Sequence, residues 1–207
     1  PYVYMKKIAV GPQARDVIDI RASITDNLNA IAKARGEDVK DLTVVILDRP
    51  RHEDMIAEVR HCGARIRLIP DGDVAGALMT ALPDSGIDVL LGVGGTPEGV
   101  LAACALRAAG GNIQGLLVAR NDEERRRGDE AGIDFNKVLT IDTLVSSDDV
   151  FFAATGLTNG DLLRGVDYFA GGAVTDSLVM RGLTGTVRRI TSTHRLAKLT
   201  QISAIEY

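Results

Sequence analysis

Short, nearly unbroken apolar runs alternate along the chain with segments whose apolar residues recur every three or four positions. The runs predict buried strands at Val3–Val10, Leu42–Asp48, Ala64–Pro70, Ile87–Val93, Gln114–Ala119, Lys137–Ile141 and Val150–Gly156. The helical spacing predicts helices over 23–35, 53–62, 73–82, 96–109 and 121–131. Ser23 suits the cap of the first helix, with Ile24, Leu28 and Ile31 on one face and Gly36 at its end. Asp16–Ile20 reads as a further short strand, and 157–164 as a helix start after Thr155-Gly156. Ala173–Arg181 and Gly185–His194 alternate as antiparallel neighbours do. Strands alternating with helices of this length imply an α/β fold built on right-handed crossovers.

The stretch Asp88–Val100 holds the strongest local signal. An apolar strand runs into Gly92, Gly94 and Gly95, which are expected to end it and turn the backbone. Thr96 then suits the N-cap and Pro97 the first helical position. Glu98 falls in the first turn of the helix. A helix N-terminus attracts anions, and a carboxylate placed there is itself one. A phosphate bound at the same place would need a cation between the two, which points to metal-assisted phosphate chemistry.

Composition narrows the classes. The 207 residues are 45% hydrophobic and 25% charged, with a net charge of −4, as in an ordinary globular protein. No long basic run occurs, which disfavours a nucleic-acid partner. No apolar stretch is long enough for a membrane helix, and no signal peptide is evident, so the expected location is cytoplasmic. Cys62 and Cys104 lack metal spacing and read as buried reduced thiols. Pro1-Tyr2-Val3 reads as mid-strand, which raises the expectation that something precedes it.

In open α/β sheets ligands bind beyond the carboxyl ends of the strands. Arg49-Pro50-Arg51-His52, Asp71-Gly72-Asp73, Gly94–Glu98 and Thr155-Gly156 all fall at such ends. Together they offer arginines for a two-pronged grip on phosphate and aspartates for sugar hydroxyls or a hard metal. Each piece has a plainer alternative. The arginines serve equally as surface charges, Asp71 and Asp73 as turn formers, Glu98 as a dipole partner, and Tyr4 as core. His52 reads as a surface or packing residue rather than a base. Convergence of the loops on one edge is what favours a sugar-phosphate site. Gly92-Val-Gly94-Gly-Thr-Pro97 is a poor dinucleotide fingerprint because Pro97 replaces the third glycine, and no phosphate-loop lysine motif or nucleophile elbow is present.

Gly92–Gly99, Asp48–His52, Pro70–Asp73, Ala153–Gly156, Tyr4-Met5-x-Lys7 and Thr186-Val-Arg-Arg189 together resemble class II fructose-1,6-bisphosphatase of the GlpX type. The resemblance runs along the whole chain in the family's order. It implies a lithium-sensitive, metal-dependent phosphatase with a layered α/β/α/β/α sandwich. The central sheet would be mostly parallel over 42–156, with antiparallel strands at the chain ends. Residues 1–22 and 165–207 would belong to an N-terminal-type sheet, and 23–164 would form the substrate-binding domain. The implied reaction is hydrolysis of the 1-phosphate of fructose 1,6-bisphosphate to fructose 6-phosphate, in gluconeogenesis and glycerol metabolism. By the same resemblance Glu98 binds a divalent metal, Mn2+ or Mg2+. Tyr4, Arg49, Pro50, Arg51, Asp71, Gly72, Asp73 and Gly95 contact the substrate.

One departure matters. The family's other metal carboxylates, and its Asp-Pro-x-x-Gly-Thr motif, precede the matched region and are not in this sequence. The 207 residues would therefore carry substrate loops and one metal ligand and be inactive alone. The alternatives are a non-catalytic sugar-phosphate-binding fragment, a related inositol or sedoheptulose bisphosphate phosphatase, and a nucleotide-binding domain. An unpaired β edge left by a missing portion favours a homo-oligomer, a dimer or tetramer.

Overall fold

A computed structural model of the chain describes residues 4–202. Val3, the first residue of the expected opening strand, lies outside them. Two sheets and two helical layers alternate. The larger sheet has six strands in the order β3-β2-β4-β1-β5-β6, namely Arg65–Ile69, Thr43–Leu47, Val89–Gly95, Tyr4–Val10, Asn112–Val118 and Leu139–Thr140. β2 pairs in parallel with β3 and β4, and β1 enters antiparallel between β4 and β5. Strands β2 to β5 therefore share one direction, as the mostly parallel reading of 42–156 requires. β6 runs against β5.

One face of this sheet is covered by α1 (Ile24–Arg35) and α2 (Glu53–His61). Ile8, Val10, Val44 and Ile46 pack there on Leu28, Ile31, Ile56 and Val59. Ser23 Oγ accepts the Asp26 amide at 3.0 Å, and Gly36 closes α1 with a left-handed φ of 70°, as its sequence predicts. The other face is covered by α3 (Asp73–Met79) and α4 (Thr96–Ala109).

Helix α4 is buried on both sides. Ala102, Ala103 and Leu106 meet the large sheet, while Ala105 and Ala108 meet Leu178 and Met180 of a second sheet. Small side chains on two faces of one helix let both sheets approach it closely. The second sheet is antiparallel and holds β7 (Phe151–Thr155), β8 (Asp167–Phe169), β9 (Gly172–Arg181) and β10 (Thr186–Arg195). The result is an α/β/α/β stack, four layers of the expected sandwich.

Several local expectations change. β7 lies in the second sheet and alternates between half-buried and exposed, so it is not a buried strand of the first. β1 sits inside the large sheet while β9 and β10 form the other, rather than all three sharing one terminal sheet. Residues 16–20 form turns, not a strand. Side chains hold their backbone instead: Asn27 Oδ1 and Gln114 Oε1 accept the amides of Asp19 and Ile20, each at 2.9 Å. Residues 157–164 form a loop without a helix. There Asn159 Oδ1 accepts the Gly165 amide at 2.9 Å, a local alternative to helical bonding.

Ile8 is 1% exposed in the strand that joins both halves of the large sheet. Ile8→Ala is expected to cost about 2–5 kcal/mol. Urea unfolding followed by circular dichroism would register this as a lowered midpoint with an unchanged slope.

Candidate functional site

The register places five strand ends along one edge. Tyr4, at the start of β1, lies opposite Gly95 of β4 and Val118 of β5. Because β2 and β3 run parallel to β4, the loops after Leu47 and Ile69 open on the same edge. The loops singled out at 49–52, 71–73 and 94–98 are therefore neighbours in space.

Three side chains from these loops close on three successive residues of β4. Arg51 Nε donates to the carbonyl of Val93 at 2.9 Å. The Asp73 carboxylate lies against Gly94, where an added Cβ would fall 2.7 Å from Oδ2. The Glu98 carboxylate folds back over Gly95, where a Cβ would lie 2.9 Å from its Cδ and collide with Oε2. The glycines are thus not a turn. β4 continues through Gly94 and Gly95, pairing with Met5 and Tyr4. Their role is to keep the strand end bare so that other side chains can pack on its backbone. α4 accordingly starts at Thr96, one residue earlier than expected, with Gly95 as the extended cap residue.

Two buried polar residues brace this arrangement. The Lys7 ammonium donates to Asp73 Oδ2 at 2.5 Å and to the Gly95 carbonyl at 3.3 Å. The two side chains are only 2% and 13% exposed. Loss of one member of such a buried pair costs about 3–5 kcal/mol because the other is left uncompensated. His52 is fully buried in the short 3-10 turn Pro50–His52. Its Nε2 accepts the Val93 amide at 2.9 Å, so Nδ1 carries the proton and donates to the Leu47 carbonyl at 2.7 Å. The residue is a packing bridge between β2 and β4, with both ring nitrogens engaged.

Tyr4 carries a guanidinium over its ring from each of two segments, Arg51 at 5.3 Å and Arg120 at 4.8 Å from the centroid. Arg120 follows β5 and also donates through Nε to Glu124 at 2.7 Å. Side-chain bonds from Arg120, then a bond from its backbone amide, hold the Glu124 carboxyl below the usual carboxylate range. The pair therefore stays charged at any pH above that lowered value and keeps Arg120 over the ring.

The remaining expected residues are dispersed. Arg49 turns back to the carbonyl of Asp48 at 2.7 Å. Pro50 begins the 3-10 turn and is exposed. Asp71 and Gly72 line a cavity of about 520 Å³ between α3 and the second sheet, together with Ala154, Gly156, Asn159 and Asp161. Gly156 meets Asp71 and Gly72 across this cavity, and Thr155-Gly156 does not lie along the edge of the parallel sheet. Cys62 and Cys104 are free and half-buried rather than fully buried, and burial pushes the Cys104 thiol up. Among the described residues no group of three His, Cys, Asp or Glu side chains gathers to hold a metal ion.

Sequence reasoning named Lys7 only within the Tyr4-Met5-x-Lys7 motif, without a role, and did not single out Arg120. A signal for Lys7 exists, since it shares a strand face with Met5 and Ala9, both fully buried. A lysine in the middle of an apolar strand face needs an anionic partner.

Gly94→Ala would drive a methyl group into the Lys7–Asp73 contact. The expected loss is about 1–3 kcal/mol, visible as a lower melting temperature.

Comparison with known proteins gives the family. The family model described as bacterial fructose-1,6-bisphosphatase, glpX-encoded, matches residues 1–194. Fructose-1,6-bisphosphatase 1 class 2 of Escherichia coli K12 is 44% identical over 209 residues. Fructose-1,6-bisphosphatase class 2 of E. coli O6:H1 and of Shigella flexneri are identical to the chain to the same degree. Each alignment takes in 95% of this chain and 62% of the relative, so the chain spans under two thirds of their length. With a match over nearly its whole length and 44% identity to these relatives, the chain belongs to the glpX-encoded bacterial fructose-1,6-bisphosphatase family.

Proposed function

We propose that this chain forms the substrate-holding part of a phosphatase that hydrolyses the 1-phosphate of fructose 1,6-bisphosphate, giving fructose 6-phosphate in gluconeogenesis. The observation that carries the reading is the convergence of Arg51, Asp73 and Glu98 on Val93, Gly94 and Gly95. It joins a guanidinium, two carboxylates and a helix N-terminus within one small region. The relatives' name, fructose-1,6-bisphosphatase class 2, supports the choice of substrate.

A hard divalent cation, Mn2+ or Mg2+, prefers oxygen ligands. Glu98 fits one such position: its carboxylate is exposed, stands in the first turn of a 14-residue helix, and lies over a glycine that leaves it room. Among the described residues no group of three His, Cys, Asp or Glu side chains forms a cage around it. When bound, such an ion polarises a phosphoryl oxygen and lowers the pKa of a bound water. The chain's own residues do the rest of what can be derived. The first amides of α4 point out of the helix end and stabilise negative charge on phosphate oxygens. Arg51 is held at Nε by Val93, so its planar terminal nitrogens present a fixed fork to a phosphate. Tyr4, stacked against Arg51 and Arg120, walls the same edge. Asp73 offers its second carboxylate oxygen to a sugar hydroxyl, while Asp71 and Gly72 border the cavity beside it. Arg49 and Pro50 shape the loop that carries Arg51, and Gly95 leaves room for the substrate and for Glu98.

Residues 23–164 are read as the substrate-binding unit together with β1, which lies inside their sheet and carries Tyr4, and a cytoplasmic location and a homo-oligomeric state go with the same proposal. Among the described residues no helix is long and apolar enough to cross a membrane. The single metal carboxylate favours a second reading for these residues taken alone: they bind sugar phosphate and release none.

In an enzyme of the family's full length, Glu98→Gln is expected to lower turnover of fructose 1,6-bisphosphate by roughly 100-fold or more, with an unchanged circular dichroism spectrum. Phosphate release at the wild-type rate would refute the role given to Glu98. Chelation of divalent ions is expected to abolish the activity, and added Mn2+ or Mg2+ to restore it.

A further inference from the structure

We infer that Lys7 is a positioning residue that holds Asp73 and the end of β4 in the arrangement that binds the sugar. The inference rests on the functional reading above and adds to it a residue with no assigned part in that reaction. The Lys7 ammonium reaches two of the proposed substrate-contacting residues at once, Asp73 at 2.5 Å and the carbonyl of Gly95 at 3.3 Å. These belong to different segments, one at the start of α3 and one at the end of β4. Lys7 itself is on β1, directly beside β4 with Gly92 opposite. It is thus the point at which three separately encoded segments are tied together.

Burial makes the tie stiff. Lys7 is 2% exposed, so its charge has no access to bulk water and must be met by the carboxylate. The bare backbone of Gly94 is what makes room for the pair, since a Cβ there would stand 3.2 Å from Nζ and 2.7 Å from Asp73 Oδ2. One oxygen of Asp73 is consequently committed to Lys7, and the orientation of the other is set by that bond. An aspartate at a helix start after a left-handed glycine (Gly72, φ 81°) would otherwise have several rotamers open to it. Lys7 selects the one that faces the β4 end. It acts through Asp73 and touches no reacting atom.

The test uses the enzyme at the family's full length, saturated with divalent cation, with each variant compared to wild type on the sugar bisphosphate that wild type turns over. Lys7→Met keeps most of the length of the unbranched side chain and removes the charge. The expected result is a KM raised about tenfold, the scale of one lost charge-assisted hydrogen bond, with kcat reduced by less than KM is raised. Because Lys7 acts through Asp73, adding Lys7→Met to Asp73→Asn is expected to change KM by no more than about twofold beyond Asp73→Asn alone. A folded Lys7→Met enzyme with wild-type KM would overturn the proposal. So would KM effects that multiply in the double variant, since a residue that merely fills the core would give that result. If Lys7→Met alone does not fold, the double variant, in which no charge is left unpaired, decides by the same comparison with Asp73→Asn. Failure of wild type to hydrolyse fructose 1,6-bisphosphate would count against the functional reading, while the KM ratios on its actual substrate would still decide the role of Lys7.

Discussion

Close contact between side chains and a bare strand end is the constraint on which the site depends. Val93, Gly94 and Gly95 receive Arg51, Asp73 and Glu98 in turn, and the two glycines have no side chain to keep those groups away. The incoming residues come from three different segments, a 3-10 turn, the start of α3 and the first turn of α4. The strand supplies a flat surface, and the sheet register supplies the direction from which each loop approaches. Interiors tolerate few voids and few overlaps, so a methyl group at either glycine would disturb the whole group.

The buried ion pair between Lys7 and Asp73 is the second half of that constraint. A fully enclosed lysine is rare without a partner, and here the partner is Asp73 of the candidate site. His52 plays a similar bracing part without charge, with one ring nitrogen donating to β2 and the other accepting from β4. Tyr4 is braced by two guanidinium groups over its ring, one of them held by Glu124. Rigid supports of this kind hold charged groups at fixed separation before any ligand arrives. Preorganised charge of that sort is what phosphoryl chemistry draws on, since most of its catalysis is positioning and electrostatics.

The fold serves this edge through the packing of α4. Its N-terminus points at the site, while its alanines allow the large sheet and the second sheet to close on its two sides. The cavity that holds Asp71 and Gly72 exists because the second sheet is set against α3 by the same packing. One helix thus orients the anion-attracting end and also fixes the distance between the layers that frame it.

The periodicities of the chain were enough to place most elements. Apolar runs at 42–48 and 87–93, the Ser23 cap, the Gly36 stop and the alternating pair at the C-terminal side all correspond to observed structure. The loops at 49–52, 71–73 and 94–98 could be named because glycine, proline and charge punctuate strand ends in a legible way. What sequence could not decide was which strands lie side by side. The insertion of β1 between β4 and β5, and the assignment of β7 to the second sheet, depend on contacts between distant residues that leave no local period. The same holds for Gly94 and Gly95, which look like a turn when read alone and are strand residues because β1 pairs with them. It holds also for Lys7, whose partner lies 66 positions away. Residue type and spacing set the local conformation, because backbone sterics and capping act within a few positions. Only the packed tertiary structure could choose the neighbours, because burial and charge pairing are satisfied between segments far apart in the chain.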